Sequence, residues 1–523
     1  MKIERTRNAM RNVIFGIIQK LYMIFVPFVM RTIMIYILGV EYLGLNSLFV
    51  SILQVLNLAE LGVGNAMIFS MYKPIAEDDH VTICALMNQY RKYYRCIGLV
   101  IAIAGSALTP FVPYLISGDV PSDVNVYYLY WLNLATTVFS YWLFGYKNSL
   151  FTAHQRNDII SKISMIVLTL QYVMQIVALC LFKNYYAYLI IALAFQIIMN
   201  ITTAIVAERI YPNYKPKGKL DIATTKDINR RIRDLFTAKL GGTIVNSADT
   251  IVISAFLGLE ILAIYQNYYY IMTSVIAFIL IIFNACTAGI GNSLITETTE
   301  KNYSDFRRLS FLTMWILSVC VCCFACIYQP FMKLWVGADY MFDMITVVLF
   351  CMYFYIYMVN QLACVYKDAG GVWHQDRFRP LISALTNLIL NLILVNFWGI
   401  YAILLSTIIS YLVVALPWLL HNLFTNIFKR SPKEYIISLL KNMVITCFIS
   451  AVCVLICQTV QGEGISKVLI NLLICLIFSN VILLLIYHRD PLISQMLVLI
   501  NSITNGKFQI AIGKIDTLLK SRK

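Results

Sequence analysis

The sequence predicts an all-α polytopic membrane protein with about 14 transmembrane helices. Three observations lead to this fold class. Of the 523 residues, 60% are hydrophobic and only 13% are charged, whereas soluble domains have about 45–50% apolar and about 25% charged residues. The apolar residues form long runs between short polar segments. These runs lack the alternation of a transmembrane β-strand, so their backbone polar groups must be satisfied within helices.

Each predicted helix is an apolar stretch close to the length of about 20 residues that crosses a bilayer. The stretches are 13–38, 44–70, 95–117, 125–150, 162–182, 186–207, 236–257, 263–294, 309–333, 343–366, 380–397, 400–424, 438–460 and 467–487. The longest gap between them, 208–235, leaves no room for a folded soluble domain.

Lysine and arginine are distributed unequally between the two sides of the membrane. If the N-terminus is cytoplasmic, the inner segments together with the residues just inside the helix ends hold about 35 of the 41 basic residues, and the outer turns hold only Lys183, Lys333 and Lys467. We therefore predict cytoplasmic N- and C-termini. The net charge of +15 is mostly this topology signal, so we expect membrane lipids and not nucleic acid as partners.

A short phrase occurs twice, 219 residues apart: ILGVEYLGL at 37–45 and FLGLEILAI at 256–264. The phrase is predicted to be the outer turn between helices 1 and 2, and again between helices 7 and 8. Further along, LGVGNA at 61–66 aligns with AGIGNS at 288–293. Because six is even, the two halves enter the membrane from the same side and form parallel repeats. That architecture is typical of secondary transporters that work by alternating access.

The repeat predicts a chain in five parts. They are an N-terminal six-helix lobe at 1–207, a cytoplasmic linker at 208–235, a C-terminal six-helix lobe at 236–424, two extra helices at 425–487 and a cytoplasmic amphipathic tail at 488–523. The tail mixes apolar residues with lysines, which is typical of a helix on the membrane surface.

Helices 1 and 7 carry ionisable residues inside the predicted spans, where a charge is costly and marks a candidate functional site. Lys20 and Arg31 share one face of helix 1, with about 16 Å between them along the axis. Lys239 and Asn246 lie on the matching stripe of helix 7, with Asp249 to one side. We expect these residues to line a cationic cavity for phosphate or pyrophosphate, since guanidinium binds phosphate bidentately and ammonium binds it as a point charge.

Each of these charges also has a structural interpretation. Lys20 can extend its ammonium group to the inner surface, and Arg31 can form an ion pair with Glu41 or Glu60. Glu60 and Asp249 are accordingly either counter-ions or carboxylates that couple transport to H⁺ or Na⁺. We expect no cofactor other than such a coupling ion.

The 14 cysteines lie almost entirely inside predicted spans and are interpreted as small buried hydrophobes. The segment CVCCFAC at 320–326 places Cys320, Cys323 and Cys326 on one helix face, but no histidine or carboxylate stands beside it, so we expect no metal site. The sequence also lacks a P-loop nucleotide motif and a large outer loop with paired carboxylates. We therefore predict a transporter and not an enzyme.

Bacterial polysaccharide repeat-unit flippases, the Wzx-like exporters of O-antigen and capsule, open with a sequence similar to residues 11–79. This stretch reads RNVIFGIIQKLYMIFVPFVMRTIMIYILGVEYLGLNSLFVSILQVLNLAELGVGNAMIFSMYKPIAEDD. These flippases belong to the multidrug/oligosaccharidyl-lipid/polysaccharide exporter (MOP) superfamily. Over the rest of the chain the resemblance extends to helix number and the two-lobe repeat.

The resemblance implies a lipid-linked oligosaccharide as substrate, joined through pyrophosphate to undecaprenol. It implies transfer from the inner to the outer leaflet of the cytoplasmic membrane for surface polysaccharide biosynthesis. The implied cationic cavity agrees with Lys20, Arg31 and Lys239. A polysaccharide polymerase and other assembly proteins are the further partners that the resemblance suggests.

Two other functions stay open at this point. A cation-coupled drug antiporter of the same superfamily would have a mainly acidic cavity, whereas helices 1 and 7 place three cations against one acid. A membrane polysaccharide polymerase would need a large outer loop with catalytic carboxylates, and the outer turns have only about 4–12 residues.

Overall fold

The structure is a computed structural model that describes residues 5–60, 62–118 and 120–493, excepting the side chains of residues 5–14, 234, 237–239, 242, 245, 246 and 288. The described residues form eighteen α-helices and no β-strand. The first nine helices are α1 (Arg5–Ile37), α2 (Val40–Leu56), α3 (Val63–Ala76), α4 (His80–Leu108), α5 (Val126–Trp142), α6 (Asn148–Ala153), α7 (Asn157–Phe182), α8 (Tyr185–Ile210) and α9 (Ile222–Leu257). The other nine are α10 (Leu259–Thr296), α11 (Thr299–Trp335), α12 (Met344–Ala369), α13 (Trp373–Asp376), α14 (Arg379–Trp398), α15 (Ile400–Ile409), α16 (Leu416–Asn426), α17 (Lys433–Gln458) and α18 (Ile465–Tyr487).

All the predicted apolar stretches fall on helical segments. Within the described residues, twelve segments are long and apolar enough to cross a membrane. The two remaining stretches are helical as well: α5 has 17 residues, and α9 contains a shorter apolar helix at Ser247–Leu257. The predicted class, an all-α polytopic membrane protein, is therefore confirmed.

Some predicted helices are not single continuous α-helices, and the one predicted at 400–424 passes through a π-helical segment, Ser410–Ala415, between α15 and α16. The second, predicted at 44–70, is interrupted where α2 ends, and a 3₁₀ turn at Asn57–Glu60 precedes α3. Gly62 adopts a left-handed φ of 89° there, and a Cβ on it would lie 2.7 Å from the Cβ of Leu235 in α9. The break thus uses both the backbone freedom and the small size of glycine. The fourth helix, predicted at 125–150, ends at Trp142.

The repeated phrase forms the same turn in both copies. Gly39 joins α1 to α2 with φ 123° and ψ 168°, and Gly258 joins α9 to α10 with φ 94° and ψ 173°. Only glycine occupies this backbone region readily. Each glycine N–H donates to the carbonyl five residues earlier, at 3.3 Å to Met34 and at 3.1 Å to Ile253. The sequence repeat is thus a structural repeat at this position.

The turn at Gly258 packs against α2, the helix that follows the turn at Gly39. A Cβ on Gly44 of α2 would collide with the carbonyl oxygen of Leu259 and lie 3.1 Å from its Cα. Small residues at such contacts allow two helix backbones to approach closely. Gly44 is therefore required by packing and not by its backbone conformation.

We expect Gly44→Ala to lower the melting temperature of the purified protein. Alanine favours a helix over glycine by about 1 kcal/mol, but overpacking against an immobile backbone costs about 1–3 kcal/mol. Gly16→Ala on α1 is the matched control, because nothing lies within 4 Å of a Cβ at that position. A Gly44→Ala protein as stable as Gly16→Ala would contradict this close contact.

The chain forms two compact units. The first comprises Met1–Asn267 with Pro380–Ile403, and the second comprises Tyr268–Arg379 with Leu404–Lys523. In the first unit, α1 packs on α7 and α2, while α9 packs on α2 and α3. In the second unit, α11 packs on α12, α17 and α18.

The five predicted parts of the chain rest on the repeat and not on packing, and they stay a prediction. Helix α9 begins at Ile222, inside the segment predicted as a linker. The two extra helices predicted at 425–487 coincide with α17 and α18. The predicted amphipathic tail at 488–523 lies outside the described residues from position 494 onward.

Candidate functional site

Arg31 is a half-buried cation within a membrane-crossing segment of α1. Its guanidinium donates to the side-chain oxygen of Asn267 at 3.3 Å and to the backbone carbonyl of Gln266 at 3.4 Å, both at the start of α10. These two contacts position the guanidinium against α10.

The same stretch of α10 also bonds to α9. The side-chain amide of Gln266 donates to the hydroxyl of Thr250 at 2.9 Å. Asn267 is 1% exposed, and its side-chain nitrogen has no hydrogen-bond partner among the described residues. A polar path thus runs from α1 through α10 to α9, and it contains a buried donor that an incoming oxygen atom can satisfy.

The other predicted cavity residues are placed less completely. Lys20 lies on α1 and is exposed at the protein surface. This exposure is compatible with an ammonium group that extends to the membrane surface and with one that binds phosphate. Lys239 and Asn246 lie within α9, but their side chains are outside the part of the chain that the structure describes. A cavity lined by Lys20, Arg31, Lys239 and Asn246 therefore stays a prediction.

Glu60 lies in the 3₁₀ turn after α2 and faces a group of tyrosines. Tyr94 of α4 donates to the Glu60 carboxylate at 3.5 Å, and Tyr90 donates to Tyr94 at 3.0 Å. The ring of Tyr141 in α5 meets that of Tyr94 edge-on, with centroids 5.2 Å apart. A carboxylate in contact with phenols inside the helix bundle can exchange its charge for a proton without losing its hydrogen bonds.

Helical rise places Arg31 and Glu60 at different distances from the turn at Gly39. Counted from Gly39, Arg31 is about 12 Å back along α1 and Glu60 is about 32 Å onward along α2. An ion pair needs nitrogen and oxygen within about 4 Å. This difference of roughly 20 Å favours separate roles for the two residues.

Asp249 forms a buried polar site with α14. It is 6% exposed, and Asn391, which is fully buried, donates to its carboxylate at 2.6 Å. The same amide nitrogen lies 3.3 Å from the side-chain oxygen of Asn387. The oxygen of Asn391 has no partner among the described residues. These oxygens can hold a proton or a hard cation, since such cations take carboxylate and amide oxygens as ligands.

The sequence analysis did not identify the amide side chains that form hydrogen bonds with Arg31 and Asp249. Asn387 and Asn391 stand one helical turn apart in a largely apolar helix, and Gln266 and Asn267 interrupt a run of tyrosines. Amides at i and i+4 inside a membrane span are a usable signal, because each must find a partner there. Which charge each amide contacts depends on helix packing and is not visible in one sequence.

The second unit contains an apolar groove made of two adjoining cavities. Their volumes are about 300 Å³ and about 340 Å³, and they share Tyr355, Ile356 and Met443. Side chains of α12 and α17 line both, with additions from α16 in one and from α11 in the other. The chemistry of this groove suits a hydrocarbon chain and not a sugar or a phosphate.

The fold is similar to that of solved transporters, including members of the MOP superfamily. The lipid II flippase MurJ, in an inward closed conformation, matches with a TM-score of 0.62 at 15% identity, covering 91% of this chain and 99% of that chain. An inward-facing multidrug resistance MATE family transporter matches with a TM-score of 0.57 at 16% identity, covering 79% and 94%. A MOP superfamily transporter from Pyrococcus furiosus, described by the reverse polarity of its binding pocket, matches with a TM-score of 0.51 at 12% identity, covering 81% and 96%.

The chain belongs to the polysaccharide biosynthesis protein family, whose family model matches residues 9–286. This match includes Arg31, Glu60 and Asp249. No match was found among curated proteins. A multi-pass membrane protein of this family, with the fold of a MOP-superfamily transporter, is thus the class that the described helices and the comparisons define.

Proposed function

We propose that this protein is a flippase for lipid-linked oligosaccharides. It moves undecaprenyl-pyrophosphate-linked repeat units from the inner to the outer leaflet of the cytoplasmic membrane by alternating access, and it performs no covalent chemistry. One observation supports the proposal: a chain of the polysaccharide biosynthesis family places a guanidinium, Arg31, inside a membrane span, where it donates to the backbone carbonyl of Gln266 and to the side-chain oxygen of Asn267. Arginine at such a position binds phosphate oxygens bidentately.

In this proposal the substrate divides between two kinds of surface. The pyrophosphate binds to Arg31, with Lys20, Lys239 and Asn246 as further ligands. The polyprenyl chain stays in the bilayer or in an apolar groove, where burial of hydrocarbon is favourable by about 25 cal/mol per Å². A chain that has both a cationic polar site and an apolar groove suits an amphiphile whose head is anionic.

Cation-coupled drug antiport is the second candidate, because the buried Asp249–Asn391 pair offers it a coupling site. A coupling site is compatible with both functions, so the substrate decides between them. The decisive measurement uses proteoliposomes containing a fluorescent undecaprenyl-pyrophosphate oligosaccharide and an impermeant reagent that attacks only the sugars exposed outside. Protein-dependent exposure of the inner pool supports the flippase. Drug uptake without such exposure would replace it with the antiporter.

Topology is tested by labelling single cysteines. With the exposed native Cys96, Cys180 and Cys447 replaced by serine, Lys217→Cys and Glu260→Cys each introduce one exposed thiol. We expect an impermeant maleimide to label position 260 in intact cells and position 217 only after permeabilisation, because basic loops stay in the cytoplasm. Labelling of position 217 from outside would reverse the proposed orientation, including the cytoplasmic termini.

A further inference from the structure

Three helices of the second unit direct sulfur and amide groups at one junction. Each helix contributes two side chains one turn apart, which places both on the same face. The pairs are Cys322 and Cys326 on α11, Cys453 and Cys457 on α17, and Asn471 and Cys475 on α18. Of the helix face that the sequence pattern CVCCFAC suggested, Cys326 takes part and Cys323 packs against the cluster, whereas Cys320 is not among the three clustered thiols.

Three of these thiols are close enough to share one ion. The sulfur atoms of Cys326, Cys457 and Cys475 all lie within 4.8 Å of one another, and the three residues are buried. All three are free thiols. With zinc–sulfur bonds of about 2.3 Å, ligand sulfurs stand about 4 Å apart. A rotamer adjustment of less than about 1 Å is therefore enough to form a three-sulfur site.

An unpartnered oxygen accompanies the thiols. Asn471 is 1% exposed, and its amide nitrogen donates to the backbone carbonyl of Cys326 at 3.3 Å. Its side-chain oxygen has no hydrogen-bond partner among the described residues. A buried acceptor without a partner is unfavourable by about 1–3 kcal/mol, so this oxygen gains from a positively charged ligand.

We propose that Cys326, Cys457 and Cys475 bind a thiophilic metal ion, with the oxygen of Asn471 as fourth ligand. Thiolates select ions such as Zn²⁺ and Cu⁺ over hard cations. The sequence analysis expected no metal here because no ligand was adjacent in sequence. The fold supplies the missing ligands from α17 and α18.

Charge and ligand preference together decide which ion fits a site surrounded by hydrocarbon. Zn²⁺ displaces the protons of two thiols to water, and the resulting zinc dithiolate is neutral, with the third sulfur and the amide oxygen as neutral donors. Cu⁺ is neutral with a single thiolate, but it prefers sulfur ligands and gains little from the amide oxygen of Asn471, whereas Zn²⁺ uses all four donors. Zinc is therefore the favoured ion. It would hold α17 and α18 against α11.

The test uses the full-length protein purified in detergent under a phosphine reductant. The protein is incubated with zinc, desalted and analysed by elemental mass spectrometry. We expect about one zinc ion per chain. With cobalt in place of zinc, we expect thiolate-to-cobalt charge-transfer absorption. A wild-type protein without retained zinc and without this absorption would overturn the proposal.

Two triple variants separate the site from thiol chemistry in general. Cys326→Ser, Cys457→Ser and Cys475→Ser together should remove zinc binding. Cys351→Ser, Cys364→Ser and Cys447→Ser change as many cysteines in the same unit and should leave it intact. If the first variant does not fold, the cobalt spectrum of the wild type still shows whether thiolates of this protein bind a metal ion. Disulfides among the first three cysteines, together with an absence of metal after reduction, would also reject the site.

Discussion

Arg31→Gln should abolish surface polysaccharide and leave lipid-linked repeat units on the cytoplasmic face of the membrane. Glutamine keeps much of the side-chain length but has no charge for the pyrophosphate. Losing one buried charge-assisted contact costs about 2–5 kcal/mol, which corresponds to at least a tenfold loss of transport. The measurement is surface glycan by immunoblot together with the accessibility of the lipid-linked sugars.

The contributions of the charge and of the bidentate geometry of the Arg31 guanidinium can be tested separately. Arg31→Lys should retain partial export, because a point charge replaces a bidentate ligand. Lys333→Gln is the matched control. It also neutralises a cation, but Lys333 forms an exposed ion pair with Glu463, and exposed pairs contribute little. Full export by Arg31→Gln in a well-expressed protein would remove Arg31 from the proposed site.

The double variant Arg31→Gln with Glu60→Gln distinguishes a ligand from an ion pair. If the two residues compensate each other's charge, the double variant should regain export, since no uncompensated charge is left. The difference in their distances from the turn at Gly39 leads us to expect continued failure. Restored export would make Arg31 structural.

Asp249→Asn should reduce transport strongly while leaving the fold intact. Asparagine still offers an oxygen to the Asn391 amide, so the 2.6 Å hydrogen bond keeps both donor and acceptor. The variant loses the charge that holds a proton or a cation. We therefore expect transport in proteoliposomes to become slow and insensitive to an imposed proton or sodium gradient, with little change in melting temperature.

Asp339→Asn, on an exposed turn, is the matched control and should behave as wild type. Glu60→Gln tests the second carboxylate in the same assay, because its tyrosine partners can bond to either form. Unchanged gradient dependence in both Asp249→Asn and Glu60→Gln would exclude these carboxylates as coupling groups.

The fold could be predicted from the sequence because the hydrocarbon interior of the bilayer imposes one simple rule. A stretch of about 20 apolar residues must be helical to satisfy its own backbone, so the helices could be placed without knowing any contact between them. The breaks within the predicted helices could not be predicted in this way. The second helix breaks at Gly62 because the left-handed glycine there meets α9, a contact between residues 173 positions apart (62 and 235).

The candidate site could be predicted only in part, for the same reason. The costly charges, Arg31 and Asp249, stand out in any apolar segment. Their partners do not: Asn267 is 236 positions from Arg31, and Asn391 is 142 positions from Asp249. Cys326, Cys457 and Cys475 meet across three helices in the same way. Such pairings depend on how helices pack, and a single sequence does not record that.

The twin turns at Gly39 and Gly258 bear on the history of the chain. A gene duplication leaves two copies that drift apart, and side chains facing lipid can be exchanged freely among apolar residues. The backbone of these turns admits glycine and little else. Under such a history, drift would erase the common ancestry along the spans and spare it at the bends, and a repeated phrase with two matching glycine turns is the pattern that a duplication predicts.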